Sequence, residues 1–337
     1  MSLPDLTVRL YRPGDEDRIL ETFNLVFREV CGPDFVDRTM EQWLWQYMDN
    51  PAGYRMSLAV APDGTVVSQY AGVPVFVDSP WGEIRFIHCV DSMTHPQWRK
   101  GLKRPGIFVI TGLPFSARSR KIGDAVLYGF PVEMAWRIGN RYLEYHHLRI
   151  IDFLLRDKAL PELPAPEGIV CERVDAIPAD LNAFYAKIRP EKQGLLRRDL
   201  SYLDWRYLQN PQRDDYELWA ARRGEELCGF MVLKPKAELV PDSLILADWL
   251  CSEQDEDAAA ALLHVASRRA REGERTMLAV FPEWSSEWRR FEKAGFVKTP
   301  SANWLERRLV YLITGTPITA EFLEDSWWYT LGDSDLA

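Results

Sequence analysis

Hydrophobic positions along the chain recur with two periods, one typical of strands and one typical of helices. Residues 7–11 alternate between apolar and polar side chains, as a half-buried strand does. Ile19, Phe23 and Phe27 fall on one face of a helix that begins after a Pro-Gly turn. Read in this way, the first half is predicted to contain, in order, a strand (7–11), helices (16–30 and 40–48), an antiparallel meander (56–61, 66–77 and 84–92), a helix (106–117), a strand (125–130), a helix (133–142) and a last strand region (144–155).

The second half repeats this order after a proline-rich segment. Residues 157–168 carry three prolines and are predicted to be a linker. Beyond the linker the predicted elements are, in order, a strand (170–174), helices (178–188 and 202–209), a hairpin (217–221 and 227–233), a strand (243–251), an alanine-rich helix (255–272), a strand (276–281), a helix (286–293) and a strand (304–312).

Short sequence matches indicate that the two halves are copies of one unit. Trp43 to Tyr47, followed by Asn50-Pro51, matches Trp205 to Tyr207, followed by Asn210-Pro211. Such self-similarity indicates an internal duplication. We therefore predict an N-terminal domain (1–156), a linker (157–168), a C-terminal domain (169–313) and an aromatic, acidic tail (314–337).

The composition limits the classes of protein that the sequence fits. Of the 337 residues 47% are hydrophobic and 27% are charged, as in globular proteins, and the net charge of -9 argues against binding to nucleic acid. The five cysteines form no CxxC pair and no zinc-like cluster, so we expect reduced thiols and no metal. The chain shows no signal pattern and no run long enough to span a membrane, so we expect a cytoplasmic protein. We also expect it to be a monomer or a homodimer.

The basic residues are concentrated in one segment. Residues 97–121 contain seven Lys and Arg residues and no acidic residue. The segment follows a predicted strand and continues into a predicted helix, and such a turn directs backbone N–H groups and the helix dipole at an anion. Gly101 and Gly106 would let the backbone approach a phosphate closely. The spacing therefore predicts an anion site in the first domain.

The order of elements and one motif resemble the GCN5-related N-acetyltransferase (GNAT) superfamily. Cys89 to Gly101 is similar to the family's fourth strand and to the loop that holds the pyrophosphate of acetyl-coenzyme A. The resemblance implies an α/β (α+β) fold of two tandem GNAT-like domains, each a mixed, mostly antiparallel sheet flanked by helices. It also implies acetyl-CoA as the acyl donor, bound by Ser92, Met93, Thr94, Arg99, Lys100, Gly101, Leu102, Lys103, Arg104 and Gly106.

The sequence departs from the family pattern in the loop and after the next strand. One residue separates Arg99 from Gly101 where the family has two, and Lys103 replaces a second small residue. Val132 stands where the family often has an asparagine that contacts the pantetheine.

The second half lacks the basic motif. The corresponding strand ends at Cys251 and is followed by four carboxylates, those of Glu253, Asp255, Glu256 and Asp257. Their charge would repel a pyrophosphate, and they are better explained as charges at the start of a helix. We therefore expect acyl-CoA in the first domain alone.

Acyl transfer to an amine requires a base for the amine and an acid for the departing thiolate. The resemblance implies a Glu or Asp on the central strands as the base and a Tyr on the last helix, before a Gly-Phe pair, as the acid. Asp91 and Glu133 are the nearest carboxylates and Tyr142 is the nearest phenol, so these three are the candidate catalytic residues. In the second domain the pair is Gly295-Phe296, and Phe291 takes the tyrosine's place.

The tail differs from both copies because it carries three consecutive aromatic residues, Trp327, Trp328 and Tyr329. Large aromatic side chains are costly to expose to water, so we predict that the tail docks on the protein.

The leading hypothesis is an N-acyltransferase that moves acetyl from acetyl-CoA to an amine by direct attack in a ternary complex. The acceptor would be an amino sugar, a small metabolite or a peptide. One alternative is a GNAT-like protein that binds acyl-CoA or a partner without turnover. Another is an aminoacyl-tRNA-dependent peptidyl transferase of tandem GNAT architecture.

Overall fold

The protein divides into two compact units, seen in a computed structural model that describes residues 6–99, 105–237, 239–315 and 317–336. Each unit is assembled from separate stretches of the chain. The first unit comprises Met1–Phe76, Ile84–Arg149 and Arg308–Thr319, and the second comprises Val77–Glu83, Ile150–Arg307 and Ala320–Ala337.

The helices and strands follow the predicted order closely. Up to the linker they are β1 (Thr7–Leu10), α1 (Glu16–Cys31), α2 (Met40–Tyr47), β2 (Arg55–Val60), β3 (Val66–Ser79), β4 (Gly82–Thr94), α3 (Ile107–Lys121), β5 (Val126–Gly129), α4 (Glu133–Tyr142), β6 (His146–Ile150) and β7 (Phe153–Arg156). Beyond it they are β8 (Val170–Val174), α5 (Leu181–Ile188), β9 (Leu195–Leu196), α6 (Leu200–Leu203), β10 (Glu217–Arg223), β11 (Glu226–Ala237), β12 (Ser243–Cys251), α7 (Glu256–Glu272), β13 (Thr276–Ala279), α8 (Ser286–Lys293), β14 (Val297–Thr299), β15 (Arg308–Ile313) and α9 (Ala320–Asp325).

Local sequence signals explain where several helices begin. Thr39 and Gln42 form a reciprocal capping box at the start of α2. Asp199 accepts a hydrogen bond from the Tyr202 N–H at the start of α6. Ser285 does the same for Trp288 in α8. The caps of α2 and α8 fix the helix starts that the sequence pattern predicts, whereas α6 begins two residues before the predicted start at Tyr202.

Each unit is built on a mixed, mostly antiparallel sheet, as the fold class predicts. In the first sheet the strand order is β1-β2-β3-β4-β5-β15-β6, and in the second it is β14-β7-β13-β12-β11-β10-β8. Within the described residues, β4 and β5 pair in parallel in the first sheet, and β12 and β13 pair in parallel in the second. The short strand β9 pairs with residues 77–78 inside the second unit.

The division into units differs from the predicted domain limits at two strands. The predicted limits assign β7 to the N-terminal domain, but it pairs with β13 and β14 in the second sheet. They assign β15 to the C-terminal domain, but it pairs with β5 in the first sheet. The hydrophobic pattern within a strand identifies its buried face but carries no information about which distant strand will pair with it. The sequence therefore does not show that β7 and β15 are exchanged between the two sheets.

The C-terminal tail docks on the protein, as predicted. Trp327, Trp328 and Tyr329 are buried in the second unit with exposed fractions of 1%, 0% and 6%. The tail is therefore part of that unit's core.

Candidate active site

In the first unit two parallel strands part, and we call the point beside residues 89–94 where they part the opening. Residues 86–88 of β4 pair with residues 126–128 of β5, after which β5 ends at Gly129 and β4 continues to Thr94. Gly129 lies so close to β4 that a Cβ atom there would be 2.8 Å from the Cys89 carbonyl oxygen. The absence of a side chain thus allows β5 to end tightly against β4, and residues 90–94 continue beyond it.

The predicted phosphate end of this site is the start of α3. Gly106 precedes the helix in extended conformation, no described side chain caps the helix, and its first turn holds no acidic residue. A helix start without a cap or an acidic first turn among the described residues favours an anion, through its N–H groups and the helix dipole. Lys100, Gly101, Leu102, Lys103 and Arg104 lie outside the described residues.

The other predicted cofactor residues lead from β4 towards this helix. Met93 is buried and its carbonyl accepts a hydrogen bond from Ser68, whereas Ser92 and Thr94 are half-buried. Arg99 donates to the Thr94 carbonyl at 2.8 Å and pairs with Glu29 at 3.1 Å. Arg99 therefore folds back on the end of β4 in this structure.

Asp91, the first candidate base, is held by three side chains. Arg38, Gln46 and Tyr47 all donate to its carboxylate, Gln46 at 2.8 Å and Tyr47 at 2.7 Å. Burial alone would raise the pKa of Asp91, but the charge of Arg38 and these hydrogen bonds hold it below its ordinary value. A buried carboxylate with a lowered pKa accepts a proton poorly, so the geometry favours a structural role, and its role as a base stays a prediction.

Asp91 also marks an irregularity in β4. Its φ of 54° lies in the left-handed region, which only a few residue types adopt readily. Its carbonyl accepts a hydrogen bond from the Gln69 side chain at 3.1 Å. The side-chain bonds therefore also stabilise an unusual backbone turn beside the opening.

Glu133 and Tyr142, the other candidate catalytic residues, lie at opposite ends of α4. Glu133 is more than half exposed and accepts hydrogen bonds from Arg308 and Arg137, both at 2.7 Å, which lower its pKa. Tyr142 is half-buried against the core, with the guanidinium of Arg141 5.3 Å from its ring centroid. The structure does not bring these two residues together, and their catalytic roles stay predictions.

A pair of phenols that the sequence reasoning missed lies in the core beside β4. The hydroxyl groups of Tyr70 and Tyr145 are hydrogen-bonded to each other, and Tyr70 also contacts the Cys89 thiol. The ring of Tyr145 packs on Gly139 of α4, where a Cβ atom would be 2.0 Å from it. Burial raises the pKa of both phenols, so both stay protonated at neutral pH.

The signal for Tyr145 is present in the sequence once the copies are aligned. In the second unit Gly295 follows α8 with a φ of 89°, and Phe296 comes next. In the first unit Glu144 has the same left-handed backbone after α4, with a φ of 58°, and Tyr145 comes next. Glu144-Tyr145 therefore corresponds to Gly295-Phe296, but the missing glycine hides the match.

The second unit repeats the parting strands. Residues 243–245 of β12 pair with residues 276–278 of β13, which ends at Ala279 while β12 continues to Cys251. Asp91 and Asp248 occupy the same position, two residues beyond the end of the neighbouring strand. Asp248 accepts hydrogen bonds from Arg198 at 3.1 Å and Tyr207 at 2.9 Å, as Asp91 does from Arg38 and Tyr47. The duplication thus includes a buried Arg–Tyr–Asp cluster.

The anion end of the second unit is occupied by carboxylates of the chain. Asp255 caps α7 by accepting from the Ala258 N–H, and Glu256 and Asp257 lie in the first turn. Glu191 accepts hydrogen bonds from the Glu253 N–H at 2.7 Å and from the Ser252 hydroxyl. These groups satisfy the start of α7 from within the chain, whereas no described side chain caps α3.

Comparison with solved structures identifies the architecture. A probable N-acyltransferase from Enterococcus faecalis superposes with a TM-score of 0.66 at 12% identity, covering 92% of this chain and 73% of that one. A GCN5-related N-acetyltransferase from Anabaena variabilis gives the same TM-score and coverage at 11% identity. A tandem GNAT protein from the clavulanic acid biosynthesis pathway matches over 93% of this chain and all of that one, with a TM-score of 0.58 at 14% identity. The chain has the tandem GNAT fold.

Sequence comparisons add nothing to the structural match. No family model matches the chain, and no curated protein matches it. At identities of 11–14% the likeness establishes the GNAT fold of the two units and leaves the chemistry to the residues themselves.

Two kinds of feature are absent from the described part of the chain. None of its helices is both long and apolar enough to cross a bilayer. Its His, Cys, Asp and Glu side chains form no group of three or more that could hold a metal ion.

Proposed function

We propose that the first GNAT unit transfers an acetyl group from acetyl-CoA to the amine of a small molecule or peptide. The observation that carries the proposal is the contrast between the two helix starts. Helix α3 begins without a described cap or acidic first turn, directly after a segment of basic residues, whereas α7 begins among carboxylates. A pyrophosphate is favoured by the first arrangement and repelled by the second.

The proposed chemistry is direct transfer. The amine nitrogen attacks the thioester carbonyl carbon, the C–S bond breaks, the amine loses a proton and the CoA thiolate gains one. Cys89 lies beside the opening, but burial raises the pKa of its thiol to about 12, so it is a poor nucleophile for a covalent intermediate.

We propose the Tyr70–Tyr145 pair as the source of the proton for the thiolate. Tyr145 is only partly buried, and its hydroxyl is bonded to that of Tyr70, which lies deeper in the core. A phenol kept protonated by burial can donate to a thiolate that forms nearby. Asp91 and Glu133 are both held by arginines, so in this proposal the amine proton passes to solvent.

A second candidate function is acyl-CoA binding without turnover. The engagement of both predicted carboxylates favours it, since neither is arranged to accept a proton from an amine. Release of CoA thiol in the presence of amines distinguishes the two functions: the enzyme releases it and the binder does not.

Binding is tested by charge reversal in the basic segment. We expect acetyl-CoA to raise the melting temperature of the native protein, since a ligand that binds only the folded state stabilises it. The double variant Arg99→Glu, Lys103→Glu should lose this shift, because it removes phosphate-binding charge from the start of α3.

The control is the double variant Arg118→Glu, Lys121→Glu, which makes the same change of charge on exposed positions at the other end of α3. It should retain the shift. Equal responses from the two variants would refute the proposed phosphate end. A shift with aminoacyl-tRNA but none with acetyl-CoA would instead support the peptidyl-transferase alternative.

A further inference from the structure

The C-terminal tail lies where the parallel strands of the second unit part. Gly332 approaches β12 so closely that a Cβ atom there would be 2.8 Å from the Ala247 carbonyl oxygen and 2.6 Å from the Tyr207 hydroxyl. Ala247 is the first residue of β12 beyond the end of β13. The tail therefore contacts β12 at the positions that in the first unit belong to the opening.

The tail also reaches the connection between β13 and α8. The ring of Trp328 lies 6.0 Å from that of Phe281, which follows β13. Its indole N–H donates to Glu287 of α8 at 3.1 Å, and its backbone N–H donates to the Gln193 carbonyl at 3.3 Å. Trp328 has an exposed fraction of 0%, so it is enclosed on all sides.

A buried charge fixes the position of the tail. One nitrogen of Arg198 donates to the Asp333 carboxylate at 2.6 Å and to the Thr330 hydroxyl at 3.1 Å, while another donates to Asp248. Arg198 is fully buried, and its charge must be balanced by carboxylates that are buried with it. A peptide without an acidic residue at position 333 would leave part of this charge unbalanced. This contact therefore discriminates strongly for an acidic residue after Gly332.

Two more basic side chains contact the same segment. Arg206 donates to the Gly332 carbonyl at 3.4 Å and to the Ser334 carbonyl at 2.9 Å. Lys192, which forms a buried ion pair with Glu287, lies 5.1 Å from the centroid of the Trp328 ring. These contacts satisfy backbone and side-chain groups along the tail, as in a complex with a peptide.

We propose that residues 326–334 are a resident peptide ligand of the second GNAT unit, bound in the groove that corresponds to the acyl-CoA groove of the first. The groove is specific for an aromatic peptide with the order Trp328, Gly332, Asp333. The hydrogen bond from its indole N–H to Glu287 selects Trp328, and the ion pair with Arg198 selects Asp333. The close approach to β12 leaves no room for a side chain at Gly332. The comparison with the acyl-CoA groove rests on the proposed function; the peptide specificity does not.

The test severs the tail in the folded protein and asks whether a peptide can replace it. A specific protease site is inserted at the exposed Pro317, and the native chain is cleaved after purification. We expect the released segment to co-elute with the body of the protein on gel filtration. A fluorescent peptide of residues 318–337, added in excess, should exchange into the groove.

Competition by two unlabelled peptides then tests the specificity. Asp333→Ala removes one of the two carboxylates that pair with the buried Arg198 and should weaken competition about 10- to 100-fold. Asp325→Ala makes the same chemical change at an exposed position and should compete like the native peptide. Loss of the tail on cleavage with an unchanged melting temperature, or equal competition by the two peptides, would overturn the proposal.

The exchange experiment is independent of acyl-CoA. If acetyl-CoA fails to bind the protein, the proposed function is refuted, but exchange of the peptide still decides whether the tail is a ligand. If acetyl-CoA binds, one molecule per chain is expected, and a second molecule that displaces the fluorescent peptide would refute the specificity of the second groove for the peptide.

Discussion

Tyr142 and Tyr145 are three positions apart, and their environments differ in what they allow chemically. Tyr142 packs its ring on the core beside Arg141, and in the described structure the Tyr70 hydroxyl bonds to Tyr145 and not to Tyr142. Tyr145 shares a hydrogen bond with Tyr70 beside Cys89 of β4. Proximity in sequence favours Tyr142 as the acid, whereas geometry favours Tyr145.

The two phenols can be separated by removing one oxygen at a time. We expect Tyr145→Phe to lower kcat for thiol release about 100-fold, with acetyl-CoA binding unchanged, because general-acid catalysis typically contributes a factor of 100 or more. Tyr142→Phe is the matched control, and its kcat for thiol release should stay close to that of the native protein. A larger loss of kcat in Tyr142→Phe would identify Tyr142 as the acid. Near-normal kcat values in both variants would exclude both tyrosines as the acid.

At the same scale, the sequence identifies polar residues near the site but not their partners. It draws attention to Asp91, but Arg38, Gln46 and Tyr47, which hold its carboxylate, are 44 to 53 positions away along the chain. A pKa depends on burial and on such neighbours, and neither is encoded locally. The choice of a base therefore could not be made from the sequence.

Among the elements, the end of α4 shows how a substitution can conceal a duplication. The Tyr145 N–H bonds to the Gly139 carbonyl across Glu144, whose backbone is left-handed. Glycine is the usual residue at this point of a helix end, and the second unit has it at Gly295. Glu144 therefore adopts a conformation that costs it more free energy than it costs Gly295 in the other copy.

Replacing this residue should stabilise the protein. We expect Glu144→Gly to raise the free energy of unfolding by about 0.5–1 kcal/mol, because the left-handed conformation costs a residue with a Cβ atom more than it costs glycine. Glu144→Ala is the control, since it loses the same exposed ion pair with Arg120 but keeps the Cβ atom. Denaturant unfolding measures both, and equal stabilities would contradict the explanation.

The elements themselves are largely predictable, and their pairing is not. The bounds of α4, β8, β12 and α8 agree with the hydrophobic pattern residue for residue, because apolar period and caps are local properties. The pattern over residues 144–155 reads as one strand region, yet it contains β6 and β7, which belong to different sheets. That choice depends on contacts with strands more than a hundred residues away, such as those of β7 with β13.

At the scale of the whole molecule, each sheet contains a strand from the other half of the chain. Strand β7 lies between β13 and β14, so the second sheet is continuous only with it present. Phe153 and Leu154 of this strand are fully buried. The segment up to Arg156 is therefore part of the second unit's core and not a spacer.

Two C-terminal fragments that differ only in β7 test this arrangement. We expect residues 152–337 to unfold cooperatively on heating, and residues 158–337 to be poorly soluble without a cooperative transition. The shorter fragment leaves β13 with an unpaired edge and detaches β14. Circular dichroism during heating compares them, and matching transitions in both fragments would show that β7 is dispensable.

The exchange of β7 and β15 has a consequence for how this chain can evolve. A duplicated domain can be deleted or replaced by recombination when the rest of the chain folds without it. Here a deletion of the second copy would take β15 with it, and β15 is the strand that links β5 to β6 in the first sheet. The second copy therefore cannot be deleted without breaking the sheet of the first.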